Sequence, residues 1–438
     1  MHWKTGTVLL AVCLAAATAE AQPIDWNDPD AVVRAAFEAN PSLAGLDAQI
    51  RAAEERVAPA GSLPNPMLMA GVQNAPINLS ADFMTMYMVG ASQTLVRRSR
   101  RDSLRTAAEL EVERLRSQYD ARKAEIERDV RTAYIEAAAA QNQIAATEEI
   151  ARVLTSVIDS SRIRYESGAV PQTDLIRAML EESTIDHQLL LLRRQRRSAL
   201  ARLLPLLRLG GNTQVPAFSL QHEMSHRPAA TGDATLPELT PALAERQAEV
   251  SQAGQQLRMA RLAAKPDVSI EASYGFRPGD IDMFSVVARI ELPLRRGTLI
   301  EPRIREARAR QEAALRQVDA MRQQLQEDLG AAIALRDEAV DQIVLHVDTL
   351  VPTAKLGFES ALVSYQNGMT TFDAVLGLLR AYVSLNVDYY DFLRQQLEAE
   401  ADIDAIRRGA RSGIAGAGGM TASPRSSSTP DASATSMQ

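Results

Sequence analysis

Apolar residues recur every three or four positions along two very long stretches of the chain, at about 100–164 and about 303–364. Leu104, Ala108 and Leu115 illustrate this spacing, and good helix formers fill the positions between them. The pattern is typical of a helix with one narrow apolar stripe. About 65 residues at 1.5 Å per residue make a rod of roughly 100 Å. Return helices are predicted at about 171–205 and 371–407, so the chain is expected to form two long helical hairpins.

Each predicted hairpin turns at a similar sequence. The first turn reads "RYESGAVPQTDLI" from Arg164, and the second reads "SYQNGMTTFDAVL" from Ser364. Tyr165 and Tyr365 are 200 residues apart, and so are Gly168 and Gly368. A glycine in the left-handed conformation commonly ends a helix, so each glycine is expected to close the ascending helix at the tip of its hairpin.

Alternation of apolar and polar residues predicts a pair of β-strands before each hairpin. The stretches are "PMLMAGVQN" and "FMTMYMVGASQTLV" in the first half, and "DVSIEASYGF" and "MFSVVARIELPL" in the second. Strands of about 9 to 13 residues are long enough to cross a membrane when they are tilted. Beyond the N-terminus, no segment reaches about 18 consecutive apolar residues, so no transmembrane helix is predicted.

The two halves form a tandem repeat with an offset of 200 residues. "PSLAGLDAQIRAAEERVAPAGSLPNPML" from Pro41 aligns without a gap on "PALAERQAEVSQAGQQLRMARLAAKPDV" from Pro241. The helix that begins near Pro41 is expected to stop before Pro64 and Pro66, and the helix that begins near Pro241 is expected to stop before Pro266. The predicted organisation is a signal peptide at 1–21, a first repeat at 22–205, an insertion at 206–240, a second repeat at 241–408 and a disordered tail at 409–438. The strand pairs lie at 66–95 and 267–294, and the hairpins at 100–205 and 303–407.

The N-terminus and the composition narrow the functional classes. Lys4, the apolar run from Val8 and the Ala19-Glu20-Ala21 site predict a secretory signal that is cleaved before Gln22. Cys13, the only cysteine, lies within it as an alternative lipidation site, so the mature protein has no thiol. The formal charge is −7 and charges of both signs are interspersed, so no basic surface for binding nucleic acid is predicted. No catalytic or phosphate-binding motif is present, so neither an enzyme nor a cofactor is predicted.

Four strands cannot close a barrel in a bilayer, because about eight are needed and open edges are not tolerated in lipid. A cyclic homotrimer is the economical solution. The order of elements, with the helix starts "NPSL" and "TPAL", the strand ends "SQTL" and "ELPL" and the two tip motifs, resembles the TolC-like outer-membrane factor family from about Asp30 to Arg408. The resemblance implies all-α long helical hairpins plus transmembrane β-structure: a trimeric 12-stranded β-barrel in outer-membrane lipid, continued by a periplasmic α-helical barrel. It also implies a periplasmic adaptor and an inner-membrane transporter as partners.

In this family the two turns form the periplasmic tip, where the duct closes and its partners dock. Gly168 and Gly368 match the tip glycines, and Tyr365 and Asp174 match positions that link neighbouring hairpins in some members. The alternative is that Tyr365 caps its own helix end and that Asp174 is an N-terminal-turn residue favoured by the helix dipole. Tyr165 and Asp373 complete the predicted tip. The sequence departs at four positions from a pattern found in some members: Thr370 stands where they have an arginine, Asp373 is displaced by one residue, and Ala374 and Gly377 occupy the places of their aspartates.

Methionines in the first strand pair raise the question of substrate. Met84, Met86 and Met88 alternate and therefore face one way, where thioethers would suit Cu(I) or Ag(I). The alternative is packing or lipid contact. His222, Met224 and His226 form a weak metal-binding candidate, because a third strong ligand is missing. Packing is the favoured interpretation of the methionines themselves. The resemblance implies an efflux duct, and the likeness of this segment to family members that serve heavy-metal pumps adds copper or silver as a possible cargo. A type I secretion or multidrug exit duct and a periplasmic coiled-coil adaptor are the alternatives.

Overall fold

The computed structural model describes residues 24–74, 85–220, 236–277 and 280–409. The predicted signal peptide with Cys13, residue Met84, the three residues of the histidine candidate and positions 410–438 of the predicted tail lie outside these ranges.

Two short helices precede the first strand pair. Helix α1 spans Pro29–Ala39 and helix α2 spans Pro41–Ala60. Each has a proline as its first residue, where the missing N–H costs no hydrogen bond. Each is also capped by a side chain, since Asp28 accepts from the Asp30 N–H at 2.9 Å and Asn40 accepts from the Ser42 N–H at 2.9 Å. Helix α1 is not among the predicted helices, because it is too short for its periodicity to stand out.

The first long hairpin consists of α3 (Arg98–Glu166) and α4 (Gln172–Leu206). Helix α3 contains 69 residues, which corresponds to roughly 100 Å. After α5 (Pro241–Leu262), the second hairpin rises through α6 (Glu301–Leu345) and α7 (Val351–Gln366) and returns through α8 (Phe372–Arg407).

The rising helix of the second hairpin is interrupted, although one unbroken helix is predicted there. A π-helical turn at His346–Leu350 separates α6 from α7, and Pro352 is the second residue of α7. Proline removes one backbone hydrogen bond and crowds the carbonyl four residues before it, so the wider π turn accommodates the ring. A second π turn, Arg296–Ile300, precedes α6.

Four antiparallel strands form one sheet in the order β1-β2-β3-β4. The strands are β1 (Met67–Gln73), β2 (Met86–Leu95), β3 (Val268–Phe276) and β4 (Met283–Ile290). The central β2–β3 pairing joins the two repeats, and its register places Leu95 opposite Val268. Within the described residues, β1 and β4 each have one unpaired edge.

The two faces of the sheet differ in polarity. Cross-strand registers group the side chains into two sets. One face is almost wholly apolar, with Gln93 as its exception, and carries Leu68, Ala70, Val72, Tyr87, Val89, Ala91, Leu95, Val268, Ile270, Ala272, Tyr274, Phe276, Phe284, Val286, Ala288 and Ile290. The opposite face combines methionine with polar residues and carries Met67, Met69, Gln73, Met86, Met88, Ser92, Thr94, Ser269, Glu271, Ser273, Met283, Ser285, Val287 and Arg289.

The helices pack through small and branched side chains. Ala137, Ala138 and Ala139 of α3 are almost completely buried in a cluster that also contains α1, α4 and α8. Small side chains let helix backbones approach closely. A second cluster, nearer the tips, joins α3 and α4 to α7 and α8. None of the described helices has the length and apolar character needed to span a membrane.

Candidate functional site

The tips of the two hairpins have the same backbone geometry. Gly168 and Gly368 both have a φ of 73°. In the first tip, the Ala169 N–H donates to the Arg164 carbonyl at 2.8 Å and the Gly168 N–H donates to the Tyr165 carbonyl at 2.9 Å. This pair of bonds is a Schellman motif, and the second tip repeats it. The left-handed conformation that the sequence predicts for both glycines is therefore present.

Tyr365 lies between the two hairpins of the chain. Its side chain is buried, and its hydroxyl donates a hydrogen bond to Asp174 Oδ2 at the start of α4, at 3.3 Å. The Arg164 guanidinium lies over the Tyr365 ring at 4.8 Å and donates to the Tyr365 carbonyl oxygen at 3.0 Å. Phe372 packs against the ring, with 5.1 Å between the centroids. The Tyr365 hydroxyl thus bonds to the other hairpin, and its ring packs on Phe372 at the start of α8. Its roles as a link between hairpins or as a cap of its own helix end stay predictions.

The environment of Tyr365 favours its neutral phenol. Burial raises its pKa, and the negative charge of Asp174 raises it further, while Arg164 acts in the opposite direction. A neutral phenol can donate a hydrogen bond to the carboxylate, so the Tyr365–Asp174 contact persists at neutral pH.

Tyr165, the equivalent residue in the first repeat, is in a different environment. It is 39% exposed, whereas Tyr365 is 7% exposed. Adding 200 to Asp174 gives Ala374, so the repeat offers Tyr165 no carboxylate at the matching position. Within the described chain, the structure brings Tyr365 and Asp174 together and leaves Tyr165 at the surface.

Two ion pairs continue the contact between hairpins above the tip. Arg177 of α4 lies 2.6 Å from Asp373 of α8, and both side chains are at least half exposed. Farther from the tip, Arg380 of α8 donates from Nε and Nη2 to one oxygen of Glu181, at 2.8 and 2.5 Å. We call these three contacts the inter-hairpin ladder: Tyr365–Asp174, Arg177–Asp373 and Glu181–Arg380.

Of the two ion pairs, Glu181–Arg380 is the more buried. The Glu181 side chain is 3% exposed, while that of Arg380 is 59% exposed. The carboxylate of Glu181 raises the pKa of Arg380 through their hydrogen bond. A carboxylate held away from water depends on its cationic partner, so this pair links the hairpins more strongly than the exposed one.

Four residues of this site are not among those predicted from the sequence: Arg164, Arg177, Glu181 and Arg380. Asp174, Arg177 and Glu181 are spaced i, i+3 and i+7, which places them along one stripe of α4, and this signal was available in the sequence. The sequence does not show which helix lies opposite this stripe. Asp373 is predicted as a tip residue, and the structure pairs it with Arg177.

The methionines of the sheet lie on its mixed polar face. Met86 is buried against the backbone of Gly275, and Met88 is partly exposed on the same face as Ser92 and Thr94. Both methionines lie on the face opposite the apolar one, and the burial of Met86 fits the packing alternative. In the part of the chain that the structure describes, no group of three His, Cys, Asp or Glu side chains is suited to hold a metal ion.

The comparisons with known proteins agree with this architecture. The sequence model of the family described as "Outer membrane efflux protein" matches residues 32–207, which span most of the first repeat. No curated protein matches the chain significantly.

Solved structures match the fold over most of the chain. The outer-membrane protein VceC from Vibrio cholerae has a TM-score of 0.73 and 16% sequence identity, covering 88% of this chain and 97% of its own. CusC, a protein described as undergoing conformational changes during folding and transmembrane channel formation, has a TM-score of 0.72 and 17% identity, covering 90% and 96%.

The outer membrane channel MtrE from Neisseria gonorrhoeae, in its open state, has a TM-score of 0.71 and 16% identity, covering 88% and 90%. At these identities the likeness shows the fold. The first repeat matches the family described as outer membrane efflux protein, and most of the chain shares the fold of solved outer-membrane channel proteins.

Proposed function

We propose that three copies of this chain form a 12-stranded β-barrel continued by an α-helical barrel. This homotrimer is the exit duct of a tripartite efflux system that also contains a periplasmic adaptor and an inner-membrane transporter. The observation that carries the proposal is the four-stranded sheet with one apolar face and two unpaired edges within the described chain. Pairing β4 of one copy with β1 of the next satisfies both edges, and three copies close the ring.

The repeat supports the same assembly at the helical end. The ladder residues of α4 have counterparts 200 positions later at Ala374, Gly377 and Ala381, which are exposed on α8. The ladder residues of the second hairpin have counterparts 200 positions earlier, at Tyr165, Thr173 and Leu180, and these are exposed as well. In a ring of six similar hairpins, these two surfaces meet across the boundary between chains. Contacts within a chain are then polar, and contacts between chains are small and apolar.

The inter-hairpin ladder is the gate of this duct in the proposal. It joins the two hairpins of each chain where the tube narrows, and water replaces its polar contacts when a partner draws the hairpins apart. Gly168, Gly368, Tyr165 and the surrounding turns form the docking end. Opening requires α4 to move away from α7 and α8, which breaks all three rungs.

The preferred cargo is a soft metal ion, copper(I) or silver(I). The observation that favours it is the position of Met86 and Met88 on the mixed polar face, which faces the lumen when the apolar face meets lipid. Thioethers along a lumen interact with soft cations while binding them weakly enough for release. Met84 would continue the same alternation, but it lies outside the described residues.

Two experiments test these proposals separately. Heat-modifiable trimers in the outer-membrane fraction are expected for the duct, whereas a soluble periplasmic monomer would indicate the adaptor alternative. A strain that lacks the gene is expected to lose tolerance to copper or silver. The Met86→Leu/Met88→Leu variant should restore that tolerance only in part, and the control Met259→Leu, a methionine of α5, should restore it fully. Sensitivity to dyes and antibiotics alone would support the multidrug alternative, and a secretion defect alone would support type I secretion.

A further inference from the structure

A dense group of cations lies where the sheet meets the long helices. Segments 96–102, 264–267 and 291–297 contain seven cations, Arg97, Arg98, Arg100, Arg101, Lys265, Arg295 and Arg296, and three carboxylates, Asp102, Asp267 and Glu291. We call these seven cations the basic rim. The strand register places Leu95, Val268 and Ile290 level with one another, so the three segments leave the sheet at one height.

The opposite end of the sheet has the reverse charge balance. The two connections there, at 74–85 and 277–282, contain one arginine and three aspartates in sequence. The cations are therefore concentrated on the side that continues into the helices.

Most of the rim is not neutralised by the protein. Arg100 pairs with Asp267, which also accepts from the Arg97 backbone N–H. Arg98 lies 3.9 Å from Asp102, with its side chain 89% exposed. Among the described residues, no ion pair involves Lys265, Arg295, Arg296 or Glu291 within 4.0 Å. The rim therefore presents a surplus of positive charge to its surroundings.

The local structure makes this surplus unfavourable without an external anion. Helix α3 begins at Arg98, has no side-chain cap and no acidic residue in its first turn, and carries further arginines at positions 100 and 101. The N-terminus of a helix has a partial positive charge, so cations there repel it. Sequence features that conflict with local stability commonly mark function.

Exposed leucines adjoin these cations. Leu292 and Leu294 follow β4 with exposures of 64% and 85%, and Arg295 and Arg296 come directly after them. The two leucines follow Ile290, the last residue of β4 and a member of the apolar face, and the Leu294 N–H donates to the Leu292 carbonyl at 2.9 Å in a tight turn. An apolar surface that ends in a band of arginine and lysine is typical of a membrane interface, where aliphatic groups enter the hydrocarbon and the charged ends reach the headgroups.

We propose that the basic rim binds the headgroups of anionic phospholipids in the periplasmic leaflet of the outer membrane. The inference rests on the proposed orientation of the sheet, with its apolar face in lipid and its helical end in the periplasm. Phosphate groups of these lipids supply the negative charge that the rim lacks, and each cation near an anionic surface strengthens binding additively. The binding fixes the depth of the duct in the membrane.

The test uses the purified full-length trimer in neutral detergent, with phosphatidylglycerol or phosphatidylcholine added, and native mass spectrometry counts the lipids bound. We expect wild type to retain phosphatidylglycerol in preference, and added salt to weaken that preference. The rim variant Arg295→Gln/Arg296→Gln should bind phosphatidylglycerol roughly 30-fold more weakly, as expected for two surface charges. The control Arg316→Gln/Arg322→Gln removes two exposed arginines of α6, far from the rim, and should bind it like wild type.

Each other outcome has a distinct meaning. Equal retention of the two lipids by a wild-type trimer, or an equal loss in the rim and control variants, would overturn the proposal. If the rim variant alone fell apart into monomers, the rim would be a subunit contact, and the lipid assignment would be wrong. If wild type itself were monomeric in several mild detergents, the proposed assembly would fail instead, and that result is read from the same spectra.

Discussion

Replacing Arg380 by alanine tests whether the inter-hairpin ladder holds the tip closed. The change removes both hydrogen bonds to Glu181 Oε2, at 2.8 and 2.5 Å, and leaves a carboxylate whose side chain is 3% exposed without its cation. Hydrogen bonds to a charged group contribute about 1.5–3 kcal/mol. Removing one partner of a fully buried pair costs about 3–5 kcal/mol. Because the Arg380 side chain is 59% exposed, we expect about 2–3 kcal/mol per chain.

The proposed trimer multiplies this effect. If opening breaks the Glu181–Arg380 pair in all three chains, the variant destabilises the closed tip by roughly 6–9 kcal/mol relative to the open one. About 5.5 kcal/mol is enough to shift a two-state equilibrium from 1:99 to 99:1. The Arg380→Ala trimer should therefore be mostly open. Single-channel conductance in planar lipid bilayers measures this directly, as a higher and more stable conductance than that of wild type.

Two matched variants separate gating from general loss of charge. Arg193→Ala removes an ion pair with Glu148 at 2.8 Å that lies within one hairpin, with both side chains about half exposed, so it should leave conductance unchanged. Arg380→Lys keeps the charge but loses the planar fork, so an intermediate conductance is expected. A wild-type conductance for Arg380→Ala in a correctly assembled trimer would refute the assignment of this pair to the gate. An equal rise for Arg193→Ala would show that any lost ion pair opens the duct.

Three further outcomes are expected. Gly368→Ala places a side chain at a φ of 73° and should destabilise the fold by about 1–2 kcal/mol, lowering the melting temperature, whereas Gly330→Ala in the middle of α6 should raise it slightly; equal effects would contradict the strained-turn argument. Tyr365 has a raised pKa in the folded state, so its contribution to stability is full below a pH of about 10 and is lost as the pH rises through the raised value. Tyr365→Phe should abolish this alkaline loss in melting curves, and an unchanged curve would rule out Tyr365 as its source. A chain with cysteine at both Leu180 and Ala381 should give cross-linked dimers and trimers with a short bismaleimide, while each single variant stays monomeric on denaturing gels; no cross-link would argue against the proposed subunit boundary.

Much of the fold could be predicted because its elements depend on local patterns. The three- and four-residue spacing predicts α3 and α4, alternation predicts the strands, and glycine chemistry predicts the left-handed residues at both tips. Long helical hairpins joined to strand pairs are confirmed, and solved outer-membrane proteins share this fold. Closure into a trimeric barrel is a relation between chains and stays a prediction.

The candidate site was only partly predictable, because its contacts join residues nearly 200 positions apart. Tyr365 and Asp174 were predicted through a family resemblance and not through spacing. Glu181 and Arg380 are 199 positions apart, and each looks like an ordinary charged residue on a solvated helix. Only the packing of the tip cluster, with Leu189, Leu379 and other apolar residues, brings α4 and α8 close enough for these side chains to meet.

The sequence by itself determined the helices, strands and turns, and it determined that they occur twice, because periodicity and backbone preferences act over a few residues at a time. The tertiary structure decided which copies of the repeated residues differ in role. Tyr365 is buried beside Asp174 while Tyr165 is exposed, and Met86 lies on the polar face of the sheet and not on the apolar one. Burial and pairing depend on what the opposite element presents, and a duplicated chain presents different neighbours to each copy.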